Sequence, residues 1–98
     1  MQTRRSATPV RQVRPVLPDN VKALLTIRAN VKVLVQVESN GRVTDAEPVE
    51  SGGYLNRLLG AAASSAARLW VFNPATEGDR KVASELTVEL SFVPEGKR

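Results

Sequence analysis

From residue 27 to residue 37 every odd position is apolar. Ile27, Ala29, Val31, Val33, Val35 and Val37 alternate with Arg28, Asn30, Lys32, Leu34 and Gln36. Strict period-two alternation predicts a strand with one buried face, on which each valine contributes roughly 1.5–3 kcal/mol when fully buried. Ser39-Asn40-Gly41-Arg42 follows. Asn-Gly between alternating segments predicts a tight hairpin with positive φ at both turn residues. The return strand spans residues 42–50 and carries Val43 and Val49, and Pro48 assigns it to an edge or a bulge.

The period changes after Ser51-Gly52-Gly53. Leu55, Leu59, Ala62, Ala66 and Trp70 recur at steps of four, three, four and four, which predicts a helix with one apolar stripe. Its alanines let the helix lie close to a sheet. Pro74 ends it and drives Asn73 out of the helical region, so Trp70-Val71-Phe72-Asn73-Pro74-Ala75 forms a corner. After the turn Glu77-Gly78-Asp79, the positions Val82, Leu86, Val88, Leu90 and Phe92 share one face of the longest strand. Upstream, Asp19 is placed to cap a short helix through Val21, Leu24 and Leu25. Residues 14–18 are held extended by Pro15 and Pro18. Residues 1–13 show no periodicity and read as a disordered or extended approach.

The resulting order, αββαβ, predicts an α+β fold: a three-stranded antiparallel sheet with helices packed on one face. The expected core is Val31, Val33, Val35, Val37, Leu59, Ala62, Ala66, Trp70, Phe72, Leu86, Val88, Leu90 and Phe92. Such a sheet has edges, and an uncovered edge accepts another strand.

Charge adds a boundary. Of fourteen cations, Arg4, Arg5, Arg11 and Arg14 lie in the first fourteen residues, which contain no acid, and the other ten balance all ten acids. Residues 1–14 therefore read as a basic flexible tail and residues 15–98 as the domain. The neutral body argues against a nucleic-acid partner.

Candidate chemistry is sparse. With no Cys there is no disulfide framework or thiolate metal site, and with no His the commonest general base is missing. Asp45, Glu47 and Glu50 on the return strand read as a solvated face. Ser64 and Ser65 have no activating base, and Gly52-Gly53 matches no phosphate loop. The reading is a non-enzyme without metal or cofactor.

In their order and spacing these segments resemble the C-terminal domain of the TonB energy-transducer family over residues 15 to about 93. Arg14-Pro15-Val16-Leu17-Pro18 stands where the family has a Pro-x-Tyr-Pro segment, with Leu17 replacing the usual Tyr. The valine strand with Asn40-Gly41-Arg42-Val43 matches the family's strand and Gly-Arg-Val turn. The helix follows, with Gly60 replacing a frequent Asp. The most specific piece is Trp70-Val71-Phe72-Asn73-Pro74-Ala75, then a Gly turn and a strand ending Leu90-Ser91-Phe92.

The resemblance implies a periplasmic domain that binds the TonB box of an outer-membrane transporter by strand addition, for siderophore and iron uptake. Force would reach it from an inner-membrane motor of the ExbB–ExbD type through an anchor helix and Pro-rich spacer supplied outside these residues. The binding residues it implies are Arg14, Pro15, Val16, Leu17 and Pro18 with Glu85, Thr87, Glu89, Ser91 and Val93. The alternative is a non-transducing adaptor of the same fold that binds another periplasmic peptide or pairs with its own copy as a homodimer.

Overall fold

A computed structural model of the chain describes residues 3–49 and 52–94. Its centre is a three-stranded antiparallel sheet in which β3 (Ala29–Val37) lies between β4 (Val43–Pro48) and β8 (Ser84–Phe92). Three further elements precede it: β1 (Arg4–Arg5), β2 (Thr8–Arg11) and α1 (Asp19–Lys22). Between β4 and β8 come α2 (Tyr54–Ala67), β5 (Val71–Asn73), β6 (Ala75–Glu77) and β7 (Arg80–Val82). The fold is the expected α+β arrangement with a three-stranded sheet. Two smaller pairings, β1-β6-β7 and β2-β5, are added beside it.

Alternation along β3 produces the core. Val31, Val33, Val35 and Val37 point to one face, where Val33 and Val35 are fully buried. Their partners on β8 are Leu90, Val88, Leu86 and Ser84, so the apolar positions of both strands share that face. Leu59, Ala63, Ala66 and Ala67 of α2 are buried over it. All thirteen expected core residues belong to this cluster or pack against it.

The helical face differs from the expected stripe. Leu59, Gly60, Ala63, Ala66 and Ala67 are the buried positions, while Leu55 and Ala62 are half-buried at the margin. Alanine and glycine carry almost no weight in an apolar periodicity, so the stripe was drawn one position off. A Cβ on Gly60 would lie 3.0 Å from Pro48 Cβ, so the missing side chain leaves the space that Pro48 of β4 occupies against α2.

Other boundaries move for identifiable reasons. Ile27 was expected inside the first strand, yet it is 74% exposed and precedes it. The β8 ladder ends at the pair Ala29 and Phe92, so Ile27 has no partner strand. Asp19 does not cap α1. Pro18 occupies the N-cap position without a side-chain bond, and its carbonyl accepts from the N–H groups of Val21 and Lys22, both at 3.0 Å. Leu24 faces outward, whereas Val21 and Leu25 are buried. The α2 helix stops at Ala67, and bonds from Leu69 N–H to Ala66 C=O and from Trp70 N–H to Ala67 C=O tighten its end. Ser51 and Glu50 lie outside the described residues.

The hairpin is also a correction. Among the described residues none other than glycine has positive φ, so Asn40 does not. Gly41 N–H donates to Glu38 C=O at 2.8 Å, Glu38 N–H to Arg42 C=O at 2.8 Å, and Arg42 N–H to Asn40 Oδ1 at 2.9 Å. This is a three-residue loop closed by one left-handed glycine, with φ 88°. Gly41 also receives the corner: Phe72 N–H donates to Gly41 C=O at 2.9 Å, and a Cβ on Gly41 would fall 2.0 Å from the Phe72 carbonyl oxygen.

Gly41→Ala is therefore expected to cost at least about 2–4 kcal/mol, from left-handed strain plus a backbone clash. Gly60→Ala should be near neutral, because a helix gain of about 0.5–1 kcal/mol offsets the push on Pro48. Gly60→Leu should cost about 1–3 kcal/mol. Urea unfolding midpoints of the three variants check this ordering; equal midpoints for Gly41→Ala and Gly60→Ala would refute it.

Candidate strand-binding edge

The two outer strands of the sheet present different edges. Val49 N–H donates to Lys32 C=O at 2.8 Å, so Lys32 directs its backbone toward β4. Backbone groups alternate sides along a strand. Leu34 and Gln36 therefore also face β4, and Val31, Val33 and Val35 face β8. On β8 the inward groups belong to Leu86, Val88 and Leu90. Those of Glu85, Thr87, Glu89 and Ser91 point away from the sheet, and among the described residues no strand pairs with them.

The other edge is blunted. On β4 the outward backbone belongs to Ala46 and Pro48. Pro48 has no N–H to offer, and Arg68 Nη2 donates to the Ala46 carbonyl at 3.2 Å. The same guanidinium sits 3.4 Å from Asp45 Oδ1, across the edge. The β4 edge thus offers a proline and a covered carbonyl, and the β8 edge offers donors and acceptors that no strand among the described residues takes up.

Side chains along β8 give its edge two characters. Leu86 and Val88 are half-buried on the helix face, leaving apolar surface at the margin. Glu85, Thr87, Glu89 and Ser91 lie on the opposite, open face beside Gln36, Leu34, Lys32 and Asn30. Gln36 Nε2 donates to Glu85 Oε2, and Ser91 Oγ donates to Asn30 Oδ1 at 2.8 Å.

The segment before α1 stands at the end of this edge. Arg14, Pro15 and Leu17 line a cleft of about 470 Å³ with Lys22, Leu25, Ser91, Phe92 and Val93. Gln12 and Val13 approach Glu89 and Ser91 in an adjoining cleft of about 280 Å³, which Trp70 also lines. Of the expected binding residues, Arg14, Pro15, Leu17, Glu89, Ser91 and Val93 thus come together. Glu85 and Thr87 continue the edge away from the clefts. Val16 and Pro18 do not join; they line a separate apolar groove with Leu58, Ala62 and Leu69 of the helical side.

Sequence reasoning missed Gln12 and Val13. Trp70 was expected only as core, but its indole Nε1–H donates to Val13 C=O at 3.0 Å, which fixes where the preceding segment passes. The signal available was chemical: a buried Trp N–H needs an acceptor. Within residues 1–13, expected to be extended or disordered, Arg4–Arg5 and Thr8–Arg11 are paired strands. Thr8 and Pro9 oppose Asn73 and Phe72, and Arg4 and Arg5 oppose Glu77 and Thr76.

Catalytic alternatives gain nothing. Asp45 is engaged with Arg68, neither Asp45 nor Glu47 lines the clefts at the β8 edge, and Glu50 lies outside the described residues. Among the described residues no group of His, Cys, Asp and Glu is assembled for a metal, and no helix is long and apolar enough to cross a membrane.

Trp70→Phe should keep the core aromatic and lose the bond to Val13. The expected cost is about 0.5–1.5 kcal/mol, with faster amide exchange at residues 12–14 and unchanged protection in β3. Unchanged exchange at residues 12–14 would show that the indole does not tether the segment.

Comparison with known proteins gives a consistent result. The family model for the Gram-negative bacterial TonB protein C-terminal region matches residues 14–94. Protein TonB of Xanthomonas campestris pv. campestris strain B100 is 36% identical over 66 residues, covering 67% of this chain and 29% of that protein. Protein TonB of strain ATCC 33913 of the same pathovar gives the same figures. The matched region thus spans less than a third of the length of these relatives.

Proposed function

This chain belongs to the TonB C-terminal family, and from that membership we propose that it is the transporter-binding domain of a TonB-type energy transducer. Its partner is the TonB box of an outer-membrane transporter, taken up as an added strand along β8. Residues 15–98 are the binding domain and residues 1–14 the basic segment leading to it. The domain works in the periplasm, and force derived from the proton gradient reaches it from an ExbB–ExbD-type motor.

One observation carries the reading: the contrast between the two edges. Among the described residues no strand pairs with the outward N–H and C=O groups of Glu85, Thr87, Glu89 and Ser91, while Pro48 and Arg68 close the β4 edge. Main-chain bonds to those groups supply affinity at about 0.5–1.5 kcal/mol net each. Alternate side chains supply selectivity, with one set covering Leu86 and Val88 and the other meeting Glu85, Thr87 and Glu89. The cleft of Arg14, Pro15, Leu17 and Val93 receives the end of the added strand. The same edge suits a second copy of the chain, so the self-associating module is the alternative that dilution separates.

The test is an NMR titration of the labelled domain with extended transporter-derived peptides, controlled by dilution. Shifts should cluster on residues 84–93 and on Arg14, Pro15 and Leu17. A folded monomer that shows no shifts would overturn the transporter reading. Shifts that change with dilution alone would favour self-pairing.

A sharper check is Glu89→Pro. The lost N–H points away from β3, so the sheet's own ladder keeps its bonds while the outer edge loses a donor. Peptide affinity is expected to fall at least roughly tenfold. Unaltered affinity in the folded variant would rule out pairing at this edge.

A further inference from the structure

The cations of the chain are not scattered once it folds. Phe72 and Ala75 are buried at 2% and 1%, so the corner strands turn those side chains inward and Val71, Asn73 and Thr76 outward. Residues opposite each other in an antiparallel pair share a face. Arg11 opposes Val71 from one side and Arg42 bridges to it from the other. Arg5 and Lys81 flank Thr76 in the same way, and Thr8 lies beside Asn73.

Two rows result, Arg11–Val71–Arg42 and Arg5–Thr76–Lys81, on the outward side of β2-β5 and β1-β6-β7. Glu77 alternates to the opposite side with Arg4 and Arg80, and Asp79 sits in the turn beyond. All four outward cations are exposed. Among the described residues the one ion pair is Arg68–Asp45, so none of the four is neutralised by a contact. Between and beside them Val71 and Val10 are 40% and 60% exposed. The open face of the central sheet has the opposite sign, with Asp45, Glu47, Glu85 and Glu89 around Lys32.

We propose that this outward face, carrying Arg5, Arg11, Arg42 and Lys81, docks on the phosphate headgroups of an anionic bilayer. Rows of exposed guanidinium and ammonium groups, with Glu38 opposite Arg42 as the one carboxylate beside them among the described residues, match a plane of phosphate charge. The valines among them favour a bilayer over a soluble polyanion, because they reach the apolar boundary beneath the headgroups. Arg5 and Arg11 come from the segment whose charge had no assigned role. Structure joins that segment to Lys81 and Arg42, far away in sequence. The surface is separate from the β8 edge, so a peptide titration at that edge reads a different site.

The test is co-sedimentation of the whole chain with phosphatidylcholine vesicles and with vesicles that also contain phosphatidylglycerol. Binding should require the anionic lipid and vanish at high salt, where the screening length falls to about 3 Å. Lys81→Gln and Arg11→Gln should each lower the partition coefficient roughly fivefold. Arg28→Gln removes the same charge from the exposed segment before β3, at the other end of that strand, and should leave partitioning within about twofold of the parent. Equal losses in all three variants would reduce the effect to net charge and overturn the site. Absence of binding to anionic vesicles at low salt would overturn it outright, as would capture of a single-stranded oligonucleotide by a chain that ignores the vesicles.

Discussion

The contact between Gly41 and Phe72 is the constraint on which the rest of the molecule depends. It joins the tip of the β3–β4 hairpin to the corner that follows α2, through one backbone bond of 2.9 Å. The backbones approach so closely that any side chain at position 41 would overlap the Phe72 carbonyl. Once this contact forms, Trp70 and Phe72 are carried inward, with ring centroids 6.1 Å apart. The corner then lies where β2 pairs with β5 and where the indole reaches Val13. The course of the N-terminal segment, and hence the wall of the cleft beside Ser91, follows from that placement.

Much of this was legible in the chain. Unbroken alternation over residues 29–37 left one register for the central strand, because a one-residue slip would expose all four valines. The closing strand was readable for the same reason, while its role as the open edge was implied by the family resemblance. The short strands β1, β2, β5, β6 and β7 were not readable. Each has two to four residues, too few for a period, and β1 and β2 are exposed throughout. Their pairing is decided by the corner, not by their own composition. The face of α2 was misplaced by one position because it is defined by Gly60, Ala63 and Ala67, whose small size is their function. Gly60 illustrates this: its value is space for Pro48, and an apolar count does not register space.

The candidate site was half legible. The alternation that predicts the β8 core face also predicts which backbone groups look outward, so Glu85, Thr87, Glu89 and Ser91 were accessible to reasoning. The cleft was not, because it brings residues 12–17 against residues 89–93 through a bond made by a third region, Trp70. The basic outward face was hidden for a similar reason. Its four cations come from three stretches, the N-terminal segment, the hairpin and β7, that become neighbours only across β5 and β6. Reading charge along the chain located a tail; reading it across the sheet locates a surface.

The two sides of the central strand also differ in continuity. The β3–β4 pairing runs from Val33–Pro48 to Val37–Val43 and shifts register between Gln36 and Val37. The β3–β8 pairing runs unbroken from Ala29–Phe92 to Val37–Ser84. A bulge bends a strand and interrupts its ladder, so β8 is the straighter and more evenly bonded of the two edges. A strand added along β8 would lie parallel or antiparallel to a neighbour anchored over its whole length. A load applied along that strand would then act on many backbone bonds together, with the rigid partner β3 distributing it. The weak links lie elsewhere, in the pairings of β1 and β2, of two and three residue pairs, and in the Trp70 tether. Local opening free energies follow the density of such contacts. Tension arriving from the N-terminal side would therefore strip residues 3–11 from the corner before it disturbed the ladder between β3 and β8. In this order of failure the ladder between β3 and β8 is the last part of the sheet to yield.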